Sequence, residues 1–207
     1  MKPRSAARWV AAIAAACCAL PAFAFDLAEL MAMLQRNQSG EATFVEQRFV
    51  KGLDAPLTAS GTLSFTAPDR FTRRTLKPRE ESMVVEGNTV TLSRSGRSRR
   101  IALDAAPEMV GLVEAVRGTL TGNGQTLERY FRPDVSGNAD QWTLDLVPLE
   151  SRFASQVSSV RVGGTRSEVR SIEMQLGDGD RSLMVIEPVR LATSEPAKPP
   201  GAAASRP

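Results

Sequence analysis

The sequence contains no histidine, and its only two cysteines, Cys17 and Cys18, lie near the amino terminus. Without histidine, a Ser-His-Asp or Cys-His catalytic mechanism is excluded, and so is a metal site built from histidine side chains. Aromatic residues form only 5% of the chain, which argues against a large planar cofactor. We therefore expect no catalytic residue, no metal and no cofactor, and a binding protein is favoured over an enzyme.

The first 24 residues have the pattern of a secretory signal peptide. Basic residues precede an apolar run over residues 9–20, and Ala-Phe-Ala at 22–24 fits the small-x-small cleavage rule. Cleavage there would remove both cysteines, so we expect an exported protein without disulfide bonds. No later segment is long and apolar enough to predict a membrane span.

Net positive charge is also missing once this leader is set aside. Three of the 26 lysine and arginine residues lie in the leader, and the remaining 23 balance the 23 acidic residues. A chain without net positive charge lacks the usual electrostatic footprint of nucleic-acid binding. We therefore expect no nucleic-acid partner.

One local segment is nevertheless strongly basic. Residues 94–100 read RSGRSRR and form a predicted hairpin. The simpler interpretation is a solvated turn whose charged flanks discourage aggregation through a sheet edge. The alternative is docking to an anionic partner or to lipid headgroups.

The residues after the leader divide into a folded part and a tail. We predict one domain over residues 25–189, and a disordered tail over residues 190–207, where proline and alanine dominate. Within the domain, apolar residues at i, i+3, i+4 and i+7 predict two amphipathic helices. The first carries Leu27, Leu30, Met31 and Leu34 behind an Asp26 N-cap, and the second carries Met109, Leu112, Val113 and Val116.

The second helix should begin at Pro107 and stop at Gly118, with Arg117 near its negative end. A short third helix is predicted over residues 125–131, ended by Pro133. The apolar stripe of the second helix suits core packing, or a lid over the sheet or a ligand.

Short strands joined by turn residues surround these helices. They are predicted over residues 43–50, 61–66, 71–76, 82–86, 89–93 and 99–103 before the helices, and over 142–146, 159–162, 169–176 and 182–187 after them. This order predicts an α+β fold with a long antiparallel sheet. Such a sheet must curl to protect its edges and bury one face, and the helices are its natural cover.

The strand motifs resemble those of the LolA-like periplasmic lipoprotein-carrier family. The ordered set is GTLSFTAPDRF at 61–71, Lys77-Pro78, and VVEGNTV at 84–90, preceded by FVEQRF at 44–49 and followed by WTLDLVP at 142–148 and GDRSL at 179–183. The resemblance implies an incomplete antiparallel β-barrel closed on one side by helices, with an apolar cavity.

The resemblance also implies a function. Carriers of this family act as monomeric chaperones of outer-membrane biogenesis in the periplasm. They take acylated lipoproteins from an inner-membrane donor and release them to an outer-membrane acceptor. One position departs from the pattern: an arginine commonly precedes the strand-ending proline and is thought to help hold the lid closed, whereas this sequence has Ala67. Arg70, two residues beyond Pro68, could substitute for it.

The cargo is then expected to be a lipoprotein or another acylated lipid, because each exposed methylene costs about 0.8 kcal/mol in water. The candidate lipid-binding residues are Leu63, Phe65, Phe71, Val84, Leu92, Met109, Leu112, Val113, Val116, Trp142, Leu144 and Leu146. Core packing explains each of them individually, and strand register leaves the inward face open by one position. A lipid- or lipoprotein-sensing interaction domain, and an enzyme that reuses the cavity, are the alternative functions.

Overall fold

The computed structural model describes residues 25–189, apart from the side chains of residues 107 and 108. The predicted signal peptide over residues 1–24 and the predicted tail over residues 190–207 lie outside the described residues.

Eleven antiparallel strands form one sheet. They are β1 (Ser39–Phe49), β2 (Leu57–Thr66), β3 (Arg70–Lys77), β4 (Glu81–Glu86), β5 (Thr89–Arg94), β6 (Arg97–Ala102), β7 (Phe131–Asn138), β8 (Gln141–Pro148), β9 (Val157–Thr165), β10 (Glu168–Leu176) and β11 (Arg181–Pro188). Their order is β6-β5-β4-β3-β2-β1-β11-β10-β9-β8-β7, so β6 and β7 are free edges and the sheet is not closed. This arrangement confirms the predicted α+β class and incomplete antiparallel barrel.

The topology also explains why helices cover one face. Strand β6 at one edge must connect to β7 at the other, and helices α2 (Pro107–Thr121) and α3 (Gly124–Tyr130) make that connection. Helix α1 (Leu27–Leu34) precedes the sheet, and the single turn α4 (Ser151–Ala154) follows β8. The Asp26 carboxylate accepts a hydrogen bond of 2.9 Å from the Glu29 amide, which confirms the predicted N-cap of α1.

Helix α2 does not stop at Gly118 as predicted. It continues to Thr121 and ends at Gly122, whose φ of 64° is the left-handed conformation that glycine adopts most easily. Gly118 is buried, and a Cβ atom there would lie 2.8 Å from a methyl carbon of Leu127 in α3. The glycine therefore permits close packing of two helices rather than marking a helix end.

The sequence predicts no strand at β7, because Pro133 is interpreted there as the end of a helix. Pro133 instead lies inside β7, opposite Leu146 of β8. The missing N–H of proline is tolerated here because β7 is an edge strand and pairs on one side only.

The buried residues form three clusters on the covered face. One fills the space between β7–β10 and helices α1 and α3, and includes Trp142, Leu144 and Phe131, whose ring packs edge-on against Phe153. A second lies under α2, where Val113 contacts a patch formed by β4 and β5. The third is a small cluster at the centre of the sheet around Phe44. Side chains thus fill the two flanks of the covered face more completely than its centre.

Candidate binding cavity

A cavity of about 430 Å³ lies between α2 and the central strands. Its wall is predominantly apolar. The sheet contributes Leu63, Phe65, Phe71, Met83, Val85, Val160, Val162, Val169, Ile172, Met174, Met184 and Ile186, and α2 contributes Met109, Leu112, Val113, Ala115, Val116 and Leu120. The volume falls within the range of about 300–1,000 Å³ that is usual for ligand pockets.

The sequence leaves this space by placing small residues on the wall at the start of β1. Alternation along a strand puts Gly40, Ala42 and Phe44 on one face. Gly40 and Ala42 both line the cavity, and a Cβ atom added to Gly40 would meet nothing within 4 Å. On β2, Phe65 pairs with Gly40 and Leu63 pairs with Ala42, so the larger apolar residue of each pair lies on β2. The small side chains of this strand pair therefore leave room at the cavity wall, where Gly40 itself is exposed.

Seven of the twelve predicted site residues lie on the cavity wall. They are Leu63, Phe65, Phe71, Met109, Leu112, Val113 and Val116. Four of these residues form the apolar stripe of α2. The stripe is interpreted from the sequence either as core packing or as a lid, and in the structure it lines the cavity rather than lying wholly inside a packed core.

The three predicted residues of β8 lie elsewhere. Trp142, Leu144 and Leu146 are fully buried in the packed cluster beneath α1 and α3, and do not line the cavity. The indole N–H of Trp142 donates a hydrogen bond of 2.7 Å to the carbonyl of Arg166, which fixes the ring in that cluster. Their alternation identified the inward face of β8 correctly, but other side chains occupy the space in front of it.

Val84 and Leu92 also lie off the wall, for two different reasons. Val84 stands between Met83 and Val85, which both line the cavity, so its side chain points to the other face of β4. Leu92 lies opposite Met83 on the cavity face, but it is 36% exposed, beyond the cover of α2. Val84 therefore lies one strand position away from the cavity face, and Leu92 lies beyond the reach of the helix.

The sequence interpretation missed the wall residues of β9, β10 and β11. Val162, Ile172 and Met184 lie side by side on adjacent strands, because Ile172 pairs with both of the others. Ile172 belonged to a recognised apolar face of its strand. Only the β1–β11 pairing, which joins the two halves of the sheet, brings that face to the cavity.

One charged group on the wall is neutralised inside the sheet. The guanidinium of Arg73 lies 2.5 Å from a carboxylate oxygen of Glu46, and its carbon lies 4.8 Å from the ring centre of Phe44. The other Glu46 oxygen accepts a hydrogen bond of 2.5 Å from the hydroxyl of Ser182. This paired arrangement offsets the cost of bringing charges next to apolar surface.

A second arginine ties α2 to the sheet. Arg117 donates a hydrogen bond of 2.6 Å to the carbonyl of Gly87 in the β4–β5 turn, and a bond of 2.5 Å to Glu114. Because α2 continues to Thr121, Arg117 lies inside the helix and is free to reach the turn rather than cap the helix end. The sequence interpretation had assigned it only a helix-end role.

Arg70, the predicted substitute for the residue at Ala67, makes a different contact. Its guanidinium lies 3.6 Å from Glu86 on the neighbouring strand, and both side chains are well exposed. The hydrogen bond between α2 and the β4–β5 turn comes instead from Arg117 of the helix itself.

Among residues 25–189, no group of three or more carboxylate side chains is placed to hold a metal ion. Within the same residues, no helix is long and apolar enough to cross a membrane.

The sequence matches the family described as "Outer membrane lipoprotein carrier protein LolA-like" over residues 19–198. This match confirms the resemblance predicted from the strand motifs. No curated protein sequence matches the chain.

Several solved structures are similar to this one at low sequence identity. A LolA superfamily protein from Nitrosomonas europaea is 11% identical with a TM-score of 0.42, over 78% of this chain and 90% of that chain. A DUF1329 family protein from Desulfovibrio piger is 11% identical with a TM-score of 0.45, over 79% and 89%. The Pseudomonas aeruginosa MucA/MucB complex contains a chain that is 13% identical with a TM-score of 0.41, over 78% and 54%.

Proposed function

Because this chain belongs to the family of LolA-like outer membrane lipoprotein carrier proteins, we propose that it carries a lipid or lipoprotein through the periplasm. In this proposal the acyl chains of the cargo occupy the cavity under α2. The observation that supports it is the apolar space of about 430 Å³ that the protein's own side chains leave unfilled.

The energetics favour such a site for acyl chains. Moving one methylene from water into an apolar environment yields about 0.8 kcal/mol, so ten methylenes yield about 8 kcal/mol. The wall supplies mobile, adaptable methionines, including Met83, Met109, Met174 and Met184. A wall of this kind holds a chain by contact area without demanding one fixed pose, and cargo that is held this way can also be released.

We propose binding without chemical change to the cargo. The two arginines on the wall, Arg73 and Arg117, are each engaged by a carboxylate, which suits structural roles better than proton transfer. Helix α2 acts as the movable cover in this proposal, with Arg117 as its polar contact to the sheet. Delivery further requires an inner-membrane donor and an outer-membrane acceptor as partners.

The test is lipid binding by a variant whose cavity is filled. Ile172→Trp places a large side chain on the cavity wall, and Val185→Trp is the matched control. Val185 is 50% exposed and stands opposite Ser171, on the other face of the neighbouring strand. Each protein is purified gently, bound lipid is extracted for mass spectrometry, and the lipid-free protein is titrated with a fluorescent fatty acid and with the uncharged dye 1-N-phenylnaphthylamine.

We expect acylated lipid to copurify with the unaltered protein and with Val185→Trp. Ile172→Trp should copurify with less lipid and bind both probes at least about tenfold more weakly, which corresponds to the loss of roughly two buried methylene contacts. Protein that never carries lipid and binds neither probe contradicts the proposal, and so does an Ile172→Trp variant that binds like the control.

A further inference from the structure

We infer that the cargo of this cavity is an anionic amphiphile, whose negatively charged headgroup is bound by Arg97 and Arg99 at the edge strand β6. This inference rests on the proposed function, because it assigns the headgroup of the lipid whose acyl chains lie under α2. It gives the basic hairpin a role beyond that of a solvated turn.

Strand register places Arg99 on the same sheet face as the cavity. Directly opposed residues of antiparallel strands point to the same face. Such pairing gives one continuous row across five strands, which runs Leu63, Arg73, Met83, Leu92 and Arg99. The first three members of the row line the cavity, so the row leads from the cavity wall to the arginine without changing faces.

The cover of α2 ends within this part of the sheet. Val90 is 0% exposed and packs in one cluster with Val113 of α2. Leu92, two residues further along the same face of β5, is 36% exposed. The sheet face thus emerges from beneath the helix between these residues, and Leu92 continues its apolar floor into solvent.

The side chains around this exposed floor carry unbalanced positive charge. Arg94 faces Glu81 at 3.0 Å, and Arg73 is paired with Glu46. Arg97 lies opposite Arg94 on the same face, and neither Arg97 nor Arg99 forms an ion pair with any side chain that the structure describes.

Two arginines at i and i+2 of a strand are separated by about 7 Å, so both guanidinium groups can reach one phosphate. Arginine is also the residue best suited to phosphate recognition, because its planar donors fit two oxygens at once.

The other end of the cavity carries charged side chains of both signs. Asp69 in the β2–β3 turn, Glu168 at the start of β10 and Arg117 of α2 line it there, and Glu168 forms an ion pair with Arg170. An anionic headgroup thus gains more at β6, where Arg97 and Arg99 have no carboxylate partner among the described side chains, than at this end, where Glu168 already pairs with Arg170. An amphiphile would therefore enter with its acyl chain under α2 and its headgroup beyond Leu92.

The test compares single-chain amphiphiles whose headgroups differ in net charge. Lysophosphatidylglycerol, lysophosphatidylcholine and an alkyltrimethylammonium, all with the same chain length, compete below their micelle concentrations with 1-N-phenylnaphthylamine. The variants are Arg99→Gln and the double variant R97Q/R99Q. Arg100→Gln is the matched control, because Arg100 is an exposed neighbour on β6 whose side chain points to the other face.

We expect the unaltered protein to prefer lysophosphatidylglycerol to lysophosphatidylcholine. Arg99→Gln should weaken lysophosphatidylglycerol binding about twofold to fivefold, which is typical for one partly exposed ionic contact. R97Q/R99Q should weaken it further. Lysophosphatidylcholine, whose phosphate charge is balanced by its choline, should lose less affinity than lysophosphatidylglycerol in both variants. Arg100→Gln should leave both affinities unchanged, and added salt should reduce the preference.

Three results overturn the inference while leaving the proposed function intact. They are equal affinity for the anionic and zwitterionic lipids, preference for the cationic amphiphile, and an equal loss in Arg100→Gln and Arg99→Gln. The last result would mean that general surface attraction, not a headgroup site, draws the lipid. If no amphiphile and no dye binds, the proposed function itself fails.

Discussion

The contact of Arg117 with the β4–β5 turn allows a direct test of how α2 is held over the cavity. Arg117→Met keeps most of the aliphatic side chain and removes the guanidinium. The substitution removes the 2.6 Å hydrogen bond to the Gly87 carbonyl, together with the ionic contact to Glu114. Helix propensity hardly changes, since arginine and methionine are nearly equal in this respect.

The expected magnitude follows from burial. A hydrogen bond made by a charged group is worth about 1.5–3 kcal/mol. The Arg117 side chain is 25% exposed, so water recovers part of this loss, whereas Glu114 is only 13% exposed and is left without its partner. We therefore expect the covered state to lose about 1–3 kcal/mol, which increases local opening of α2 about fivefold to 150-fold.

Amide hydrogen exchange followed by mass spectrometry measures this opening. Exchange should accelerate in peptides from α2 while remaining unchanged in β9 and β10, whose bonds lie within the sheet. Arg74→Met is the control, because the exposed pair of Arg74 with Glu80 lies at the surface of β3 and contributes about 0–1 kcal/mol. Unchanged exchange in α2, or the same increase throughout the protein, would refute the assigned role of Arg117.

Two further substitution pairs test the packing around the cavity by urea unfolding. Leu144→Ala removes a fully buried side chain from the packed cluster and should lower the free energy of unfolding by about 2–5 kcal/mol. Leu112→Ala, on the cavity wall, should lower it by only about 1–2 kcal/mol, because fewer packing contacts are lost. Equal losses would contradict the distinction between filled core and cavity. Gly111→Ala should destabilise by about 1–3 kcal/mol despite better helix propensity, because the new Cβ would lie 2.7 Å from the Phe153 ring. Gly40→Ala, whose Cβ meets nothing within 4 Å, should be neutral or slightly stabilising, and a stabilised Gly111→Ala would contradict the packing described.

Local patterns predicted most elements, because these patterns have local causes. The spacing of Leu27, Leu30, Met31 and Leu34 found α1, and Asp26 found its start, since capping involves atoms only three residues apart. The patterns failed where a distant segment decided the outcome. Gly118 has the local pattern of a helix end, but its contact with Leu127 gives it a packing role instead, and Pro133 has the pattern of a helix stop but lies inside the edge strand β7.

The cavity was harder to predict than the sheet that carries it. Leu63 and Leu144 have the same side chain and both point inward from alternating strands, yet only Leu63 lines the cavity. The difference arises in front of the strand, where α1 and α3 fill the space over β8 and α2 leaves space over the centre. Which part of the sheet is filled depends on where the helices pack across the whole sheet, and this cannot be predicted from the sequence of a single strand.

Helix α2 contacts the sheet through two kinds of interaction, apolar packing and a hydrogen bond, which respond differently when the helix moves. Its stripe meets Val85 and Val90 through Val113, and such apolar contacts are nondirectional, so the helix can shift over the sheet while retaining much of its buried area. The hydrogen bond from Arg117 to Gly87 is directional and is lost when the helix moves away. Apolar packing therefore sets how strongly the helix covers the cavity, while the hydrogen bond of Arg117 biases which of its positions is occupied. In the proposed function, a cargo chain that enlarges the space under α2 would act against that contact first, so occupancy of the cavity would be coupled to the position of α2.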